Sequence, residues 1–144
     1  LDRSSAASDV YKRQLSKGQE AYVEISSLFT NGAMQFRYNL DRVMEIESRS
    51  LETIASPEIL AARLDMTMNH DRFDELHKIK NPSLIIGTRD DATVPYYLAE
   101  DLHAAINGSR LIVVEEGGHY SFRRHPDECN SLVSVFLKET EDQV

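Results

Sequence analysis

Apolar residues recur three and four positions apart between residues 15 and 76, and this spacing predicts helices throughout the region. The pair Asn31-Gly32 separates a helix over QEAYVEISSLF from a second helix between residues 34 and 54. Ser56 followed by Pro57 is typical of a helix start, with serine as the N-cap and proline in the first turn. The first part of the chain is therefore predicted to be all-helical.

From residue 77 onward, short apolar runs alternate with amphipathic stretches. The runs SLIIG (83–87) and RLIVVEE (110–116) fit strands that are covered on both faces of a parallel sheet. One helix opens at Pro95 between these runs, and another follows Pro126. The order β-α-β-α predicts the fold class α/β, with two parallel strands and their helices preceded by a helical region.

The first 14 residues have no useful periodicity. The chain begins with Leu rather than Met, and SSAASDVYKRQ resembles a translated sequencing-adaptor remnant. We therefore predict residues 1–14 to be a non-native or disordered terminus and leave them out of the fold prediction. A parallel sheet of two strands is also too small to be stable by itself, which predicts that the chain is a fragment of a longer protein.

Composition excludes several kinds of partner. The net charge of −8 argues against binding to a nucleic-acid backbone, which requires clustered lysine and arginine. No apolar run approaches the ~20 residues needed to cross a bilayer, so no membrane partner is expected. The single cysteine, Cys129, cannot form a disulfide within the chain, which is typical of a reducing compartment and predicts a cytoplasmic location. The oligomeric state is left open.

Two loops carry polar chemistry at the predicted carboxyl ends of the strands. The segment GTRDDATVP (87–95) follows the first strand, and EGGHYSF (116–122) follows the second. Functional groups gather at this edge of open α/β sheets. A carboxylate there can hold a histidine in one tautomer and stabilise its protonated form. We therefore predict that one of the adjacent acids Asp90 and Asp91 pairs with His119, while helix capping is the structural alternative for both acids.

Residues 78–138 resemble the C-terminal part of the α/β-hydrolase family. That family has a strand I-x-x-P-x-L-x-I-x-G, an acid before V-P, a Gly-His pair and a closing F-L. These appear here as IKNPSLIIG (79–87), DATVP (91–95), Gly118-His119 and FL (136–137). The resemblance implies that residues 77–144 are the end of the hydrolase core and that residues 15–76 are its helical cap.

The resemblance also implies roles for individual residues. Asp91 stands four positions before Pro95, as the family's acid does, so Asp91 is predicted to be the triad acid and His119 the base. Asp90 is the alternative acid if the strand is one residue shorter. The family's nucleophile is a serine in a Gly-x-Ser-x-Gly elbow upstream of the cap. No pair of glycines in the 144 residues brackets a serine at that spacing.

We therefore predict part of a serine-type hydrolase that holds the acid and the base without the nucleophile and is inactive alone. The cap segment GQEAYVEISSLF and the later HPDECN are similar to aminoacrylate hydrolases and 3-oxoadipate enol-lactonases. This similarity implies a small-molecule substrate: an ester, lactone, amide or aminoacrylate-like compound. Two alternatives stay open, a dehalogenase-like relative with an aspartate nucleophile and a non-catalytic binding protein of the same fold.

No cofactor or metal site is predicted. His70 and His77 are seven residues apart, and no third ligand follows at the spacing of zinc sites. Arg123 and Arg124 could meet an anionic substrate, but exposed arginines usually lie on a solvated rim, and that is the interpretation we favour.

Overall fold

The computed structural model describes residues 6–141, with side chains described from residue 10 onward. The chain divides into two compact units, Leu1–Asp71 and Arg72–Val144. The first unit contains α1 (Ala6–Leu15), α2 (Gln19–Thr30), α3 (Ala33–Tyr38), α4 (Leu40–Thr53) and α5 (Pro57–Asn69). The second contains a 3₁₀ helix (Phe73–Lys78), β1 (Leu84–Thr88), α6 (Tyr96–Ala105), β2 (Arg110–Val114), a 3₁₀ turn (Gly118–Tyr120), α7 (Ser121–Arg124) and α8 (Pro126–Glu141).

Helix α1 is a feature that the sequence pattern did not predict. Residues 1–5 of the segment set aside above lie outside the described residues, whereas residues 6–14 belong to a helix rather than to disordered chain. Tyr11 of α1 is buried against Leu64 of α5, and its ring centroid lies 5.7 Å from that of Phe29. Burial of this aromatic ring stabilises the helix, because a buried ring contributes a large apolar area.

The prediction of one helix between residues 34 and 54 was wrong, because the helix is interrupted at Asn39. The backbone dihedrals of Asn39, φ −136° and ψ 31°, are not helical. Its side-chain amide donates to Gln35 Oε1 at 3.1 Å. This bond joins two side chains and displaces no backbone bond, since the Asn39 N–H still donates to the Gln35 carbonyl at 2.8 Å. Helix α3 ends and α4 begins at Asn39 because its backbone is not helical, and asparagine is a weak helix former. On α4, Val43 is buried in the first unit.

The second unit confirms the predicted α/β class. Strands β1 and β2 are parallel, in a register that runs from Leu84 beside Arg110 to Thr88 beside Val114. Helix α6 connects them and packs closely on β1, since a Cβ added at Gly87 would lie 3.0 Å from Ala99 Cβ. Among the described residues, no helix is long and apolar enough to cross a membrane.

The two strands end together, and this brings their following loops to one edge of the sheet. Past the last paired residues, the backbone N–H of Arg89 donates to the carbonyl of Val114 at 2.8 Å. The loop after β1 and the loop after β2 therefore leave the sheet side by side. This edge is where parallel α/β sheets carry functional groups.

Candidate functional site

The imidazole of His119 and the carboxylate of Asp91 meet at this edge of the sheet. His119 Nδ1 lies 3.0 Å from Asp91 Oδ2, which is hydrogen-bonding distance. The Asp91 side chain is only 9% exposed, whereas that of His119 is 36% exposed. The acid is therefore enclosed, and the histidine is open to solvent.

The orientation of Asp91 follows from its own loop. Its other oxygen, Oδ1, accepts the backbone N–H groups of Thr93 at 2.8 Å and Val94 at 2.9 Å. Aspartate commonly holds loop backbone ahead of it in this manner. Because Oδ1 is held by the loop, Oδ2 is directed at the ring of His119. Asp91 thus holds its own loop and contacts the histidine. Helix capping, the structural alternative from the sequence, is not its role, because the N-cap position of α6 is Pro95.

Two consecutive glycines bring His119 to the edge. Gly117 has φ +128° and Gly118 has φ +61°, which are conformations that residues with a Cβ rarely adopt. Gly117 also lies directly against Ser121, since a Cβ added there would lie 2.9 Å from Ser121 Cα. The turn therefore requires glycine at position 117 for both its dihedral angles and its packing.

Asp90 and Asp91 contact different groups. Asp90 Oδ1 accepts the backbone N–H of Gly118 at 2.9 Å, while Asp91 contacts the imidazole of His119. From its sequence, Asp90 was expected to be an alternative triad acid or a helix-capping residue, and its contact with the Gly118 amide was not predicted. No local signal would have revealed it, because the donor is a backbone amide 28 residues further along the chain.

A buried group of polar side chains, also missed from the sequence, lies beneath the turn. Thr88 Oγ1 donates to Ser121 Oγ at 2.9 Å, and both residues are buried. The thiol of Cys129 on α8 is also fully buried. Burial raises the pKa of the Cys129 thiol above its ordinary value. Because the thiolate is the nucleophilic form, Cys129 is suited to packing rather than to catalysis.

The remaining sequence candidates lie on elements other than the two loops that carry the acid–base pair. His70 follows α5 in the first unit, and His77 lies in the 3₁₀ helix of the second. Within residues 6–141, no group of three or more His, Cys, Asp or Glu residues is arranged to hold a metal ion. Arg123 is exposed and stacks on Tyr120, with its guanidinium carbon 5.2 Å from the ring centroid.

The electrostatics of the pair favour a charged imidazole. The hydrogen bond to Asp91 raises the pKa of His119 above its ordinary value, and the negative charge of Asp91 adds to this effect. Partial burial of the ring acts in the opposite direction. With Nδ1 held by the carboxylate, Nε2 is the nitrogen suited to accept and return a proton. The arrangement can therefore serve as a general base whose protonated form is stabilised.

An NMR pH titration tests these electrostatics. We expect the His119 ring to titrate above pH 6.5, the ordinary value, and Asp91→Asn to move the midpoint back down. Because the folded-state pKa is raised, the pair stabilises the folded chain fully below about pH 6.5, and this contribution is lost as the pH rises through the folded-state pKa. Asp101→Asn, at an exposed position on α6, is the matched control and is expected to leave the His119 midpoint unchanged. An unchanged midpoint in Asp91→Asn would contradict the interpretation.

Comparison with known proteins shows that the chain is similar to hydrolases. Residues 58–143 match an α/β-hydrolase family described as TAP-like protein. RutD of Pseudomonas syringae pv. syringae (strain B728a), whose name describes a carbamate hydrolase, is 33% identical over 126 residues, covering 88% of this chain and 49% of that protein. The pimeloyl-[acyl-carrier protein] methyl ester esterase of Neisseria meningitidis is 32% identical over 88 residues, covering 61% of this chain and 34% of that protein.

Among solved structures, the chain is similar to MGS-M2, an α/β-hydrolase enzyme from a Medee basin deep-sea metagenome library. The TM-score is 0.79 at 20% identity, covering 92% of this chain and 50% of that one. At this identity the likeness concerns the fold alone. The chain spans about half the length of MGS-M2 and of RutD.

Proposed function

The chain belongs to the α/β-hydrolase family, and from this premise we propose that it carries the acid and the base of a serine-type hydrolase. In this proposal Asp91 is the acid that orients the imidazole, and His119 is the base. The observation that carries the proposal is the 3.0 Å contact between Asp91 Oδ2 and His119 Nδ1 at the carboxyl ends of two parallel strands. That location and that pair are what acyl transfer by a histidine-activated hydroxyl requires.

Each half of the proposed reaction uses two proton transfers. His119 Nε2 takes the proton of a serine hydroxyl as the oxygen attacks the substrate carbonyl carbon, and the carbonyl electron pair moves onto oxygen. Asp91 stabilises the imidazolium formed in this step. The imidazolium then gives its proton to the departing alcohol or amine as the tetrahedral intermediate collapses. The acyl group now remains on the serine oxygen. Water attacks it with the same two proton transfers through His119, which releases the acid product and the free serine.

We place the nucleophile outside the 144 residues, because no Gly-x-Ser-x-Gly motif occurs in them. In this proposal residues 77–144 belong to the catalytic core, and residues 15–76 form its helical cap. The partner is a small-molecule substrate. The proposed substrate class is a small ester, lactone, amide or aminoacrylate-like compound. Support comes from the names of the relatives, one a carbamate hydrolase and one a methyl ester esterase. A cytoplasmic location, supported by the single cysteine, completes the proposal.

A chimera tests the proposed division of the triad. Residues 15–141 replace the matched segment of Pseudomonas syringae RutD, and hydrolysis of p-nitrophenyl acetate is compared between this chimera and the 144-residue chain alone. We expect turnover by the chimera, and from the chain alone no turnover beyond the rate of its own His119→Ala variant. A fluorophosphonate probe, which labels activated serines, is expected to label only the chimera. Labelling of the chain alone would contradict a nucleophile outside it.

A further inference from the structure

We propose that Asp90 is a positioning residue whose carboxylate holds the backbone of the Gly117-Gly118 turn and so sets where His119 stands relative to Asp91. This inference rests on the proposed function of His119 as the base. The contact that carries it is the hydrogen bond from the Gly118 backbone N–H to Asp90 Oδ1 at 2.9 Å.

The turn needs such a contact because it consists of two glycines. Glycine gives the backbone access to conformations of positive φ, and the same freedom makes a pair of glycines easy to displace. His119 is the next residue, so a displacement at Gly118 would move the imidazole away from Asp91. A charge-assisted hydrogen bond to the Gly118 amide opposes that displacement, since such bonds are shorter and stronger than neutral ones.

Packing already holds the other glycine. A Cβ added at Gly117 would lie 2.9 Å from Ser121 Cα, so the two backbones are in direct contact. Ser121 is itself tied to the end of β1 through the hydrogen bond from Thr88. Gly117 is thus held by Ser121, and Gly118 is held by Asp90.

The two adjacent acids, Asp90 and Asp91, both help to position His119. The loop after β1 places Asp90 on the backbone of the turn and Asp91 on the ring that the turn carries. This loop is held in shape by the hydrogen bonds that the backbone N–H groups of Thr93 and Val94 donate to Asp91 Oδ1. One loop therefore determines both the place and the orientation of His119. Such preorganisation matters because small displacements of a catalytic group cost large factors in rate.

Two variants separate a positioning role from an effect of charge. Asp90→Asn keeps an oxygen acceptor for the Gly118 amide and removes the negative charge. Asp90→Ala removes both. If Asp90 acts by holding the turn, Asn rescues part of what Ala loses. If Asp90 acts by its charge on the imidazole, Asn and Ala have the same effect.

The experiment uses the 144-residue chain and two NMR readouts, hydrogen exchange of the Gly118 amide and the titration midpoint of His119. For Asp90→Ala we expect Gly118 to exchange about 10-fold faster, as for loss of one charge-assisted bond, and the His119 midpoint to fall toward its ordinary value. For Asp90→Asn, which keeps a weaker neutral bond to the Gly118 amide, we expect both readouts to lie between those of Asp90→Ala and those of the unmodified chain. Asp101→Ala, at an exposed position on α6, is the matched control and is expected to change neither readout.

Several results would overturn the inference. One is a His119 midpoint that falls equally in Asp90→Asn and Asp90→Ala, and another is a midpoint unaffected by Asp90→Ala. A Gly118 amide that exchanges freely in the unmodified chain would also overturn it, and this measurement needs no variant that must fold. Neither readout requires hydrolysis, so an inactive chimera with the expected NMR results would refute the proposed function while leaving the role of Asp90 intact.

Discussion

In the chimera, His119→Ala is expected to lower kcat/KM for p-nitrophenyl acetate by about 10²–10⁴-fold, the usual contribution of a positioned general base. Without the imidazole, neither the serine hydroxyl nor the water of the second step has an acceptor for its proton. The loss is expected in kcat, with KM little changed, because the imidazole acts on the transition state more than on the bound substrate. Steady-state kinetics over a range of ester concentrations measures both constants.

The matched control for this prediction is His103→Ala. His103 is an exposed histidine on α6, with Nδ1 2.8 Å from Ser109 Oγ, and it lies outside the proposed triad. Its replacement is expected to leave kcat/KM within about 2-fold, since exposed positions away from special contacts are usually tolerant. Asp91→Asn is expected to lower kcat/KM as His119→Ala does, because an amide cannot stabilise the imidazolium. Comparable activity of His119→Ala and the unmodified chimera would refute His119 as the base.

Gly117→Ala is expected to reduce the free energy of unfolding by about 3 kcal/mol or more. Two costs combine at this position. The dihedral φ +128° is unfavourable for alanine, and the new methyl carbon would lie 2.9 Å from the backbone Cα of Ser121. A backbone atom cannot move aside as the end of a flexible side chain can, so the whole turn must shift. Urea unfolding followed by circular dichroism measures the loss.

Gly108→Ala separates these two costs within the same unit. Gly108 also has a positive φ, +75°, but a Cβ added there would have no atom within 4 Å. Only the dihedral cost applies, and we expect a loss of about 1 kcal/mol. Equal losses for Gly108→Ala and Gly117→Ala would mean that the contact with Ser121 yields easily. The turn would then be less rigid than its role in placing His119 requires.

Helices and strands followed closely from local pattern, and the exceptions have identifiable causes. Apolar spacing was sufficient for α2, α5, α6 and α8, whose buried faces contact neighbouring elements. The interruption at Asn39 lies in the backbone dihedrals of that one residue, φ −136° and ψ 31°, and the spacing of apolar residues does not predict such a change. Helix α1 was missed because it is stabilised by burial of Tyr11 against Leu64, a contact between residues far apart in the chain.

Part of the candidate site could likewise be predicted from local sequence pattern. Two apolar runs, the acids that follow the first run and the Gly-Gly-His after the second were sufficient to predict a parallel sheet edge carrying a carboxylate and an imidazole. Each of these is a local property: a strand propensity, a turn residue or a side chain next to a strand end. These local properties left two adjacent candidates for the acid, Asp90 and Asp91, and the family resemblance favoured Asp91.

The separate contacts of Asp90 and Asp91, and the hydrogen bond between Thr88 and Ser121, depend on folding. These contacts join residues 28 to 33 positions apart. They form because β1 and β2 pair with Thr88 beside Val114, which brings the two following loops together in one register. A shift of one residue in that pairing would leave every local pattern unchanged and give each acid a different neighbour.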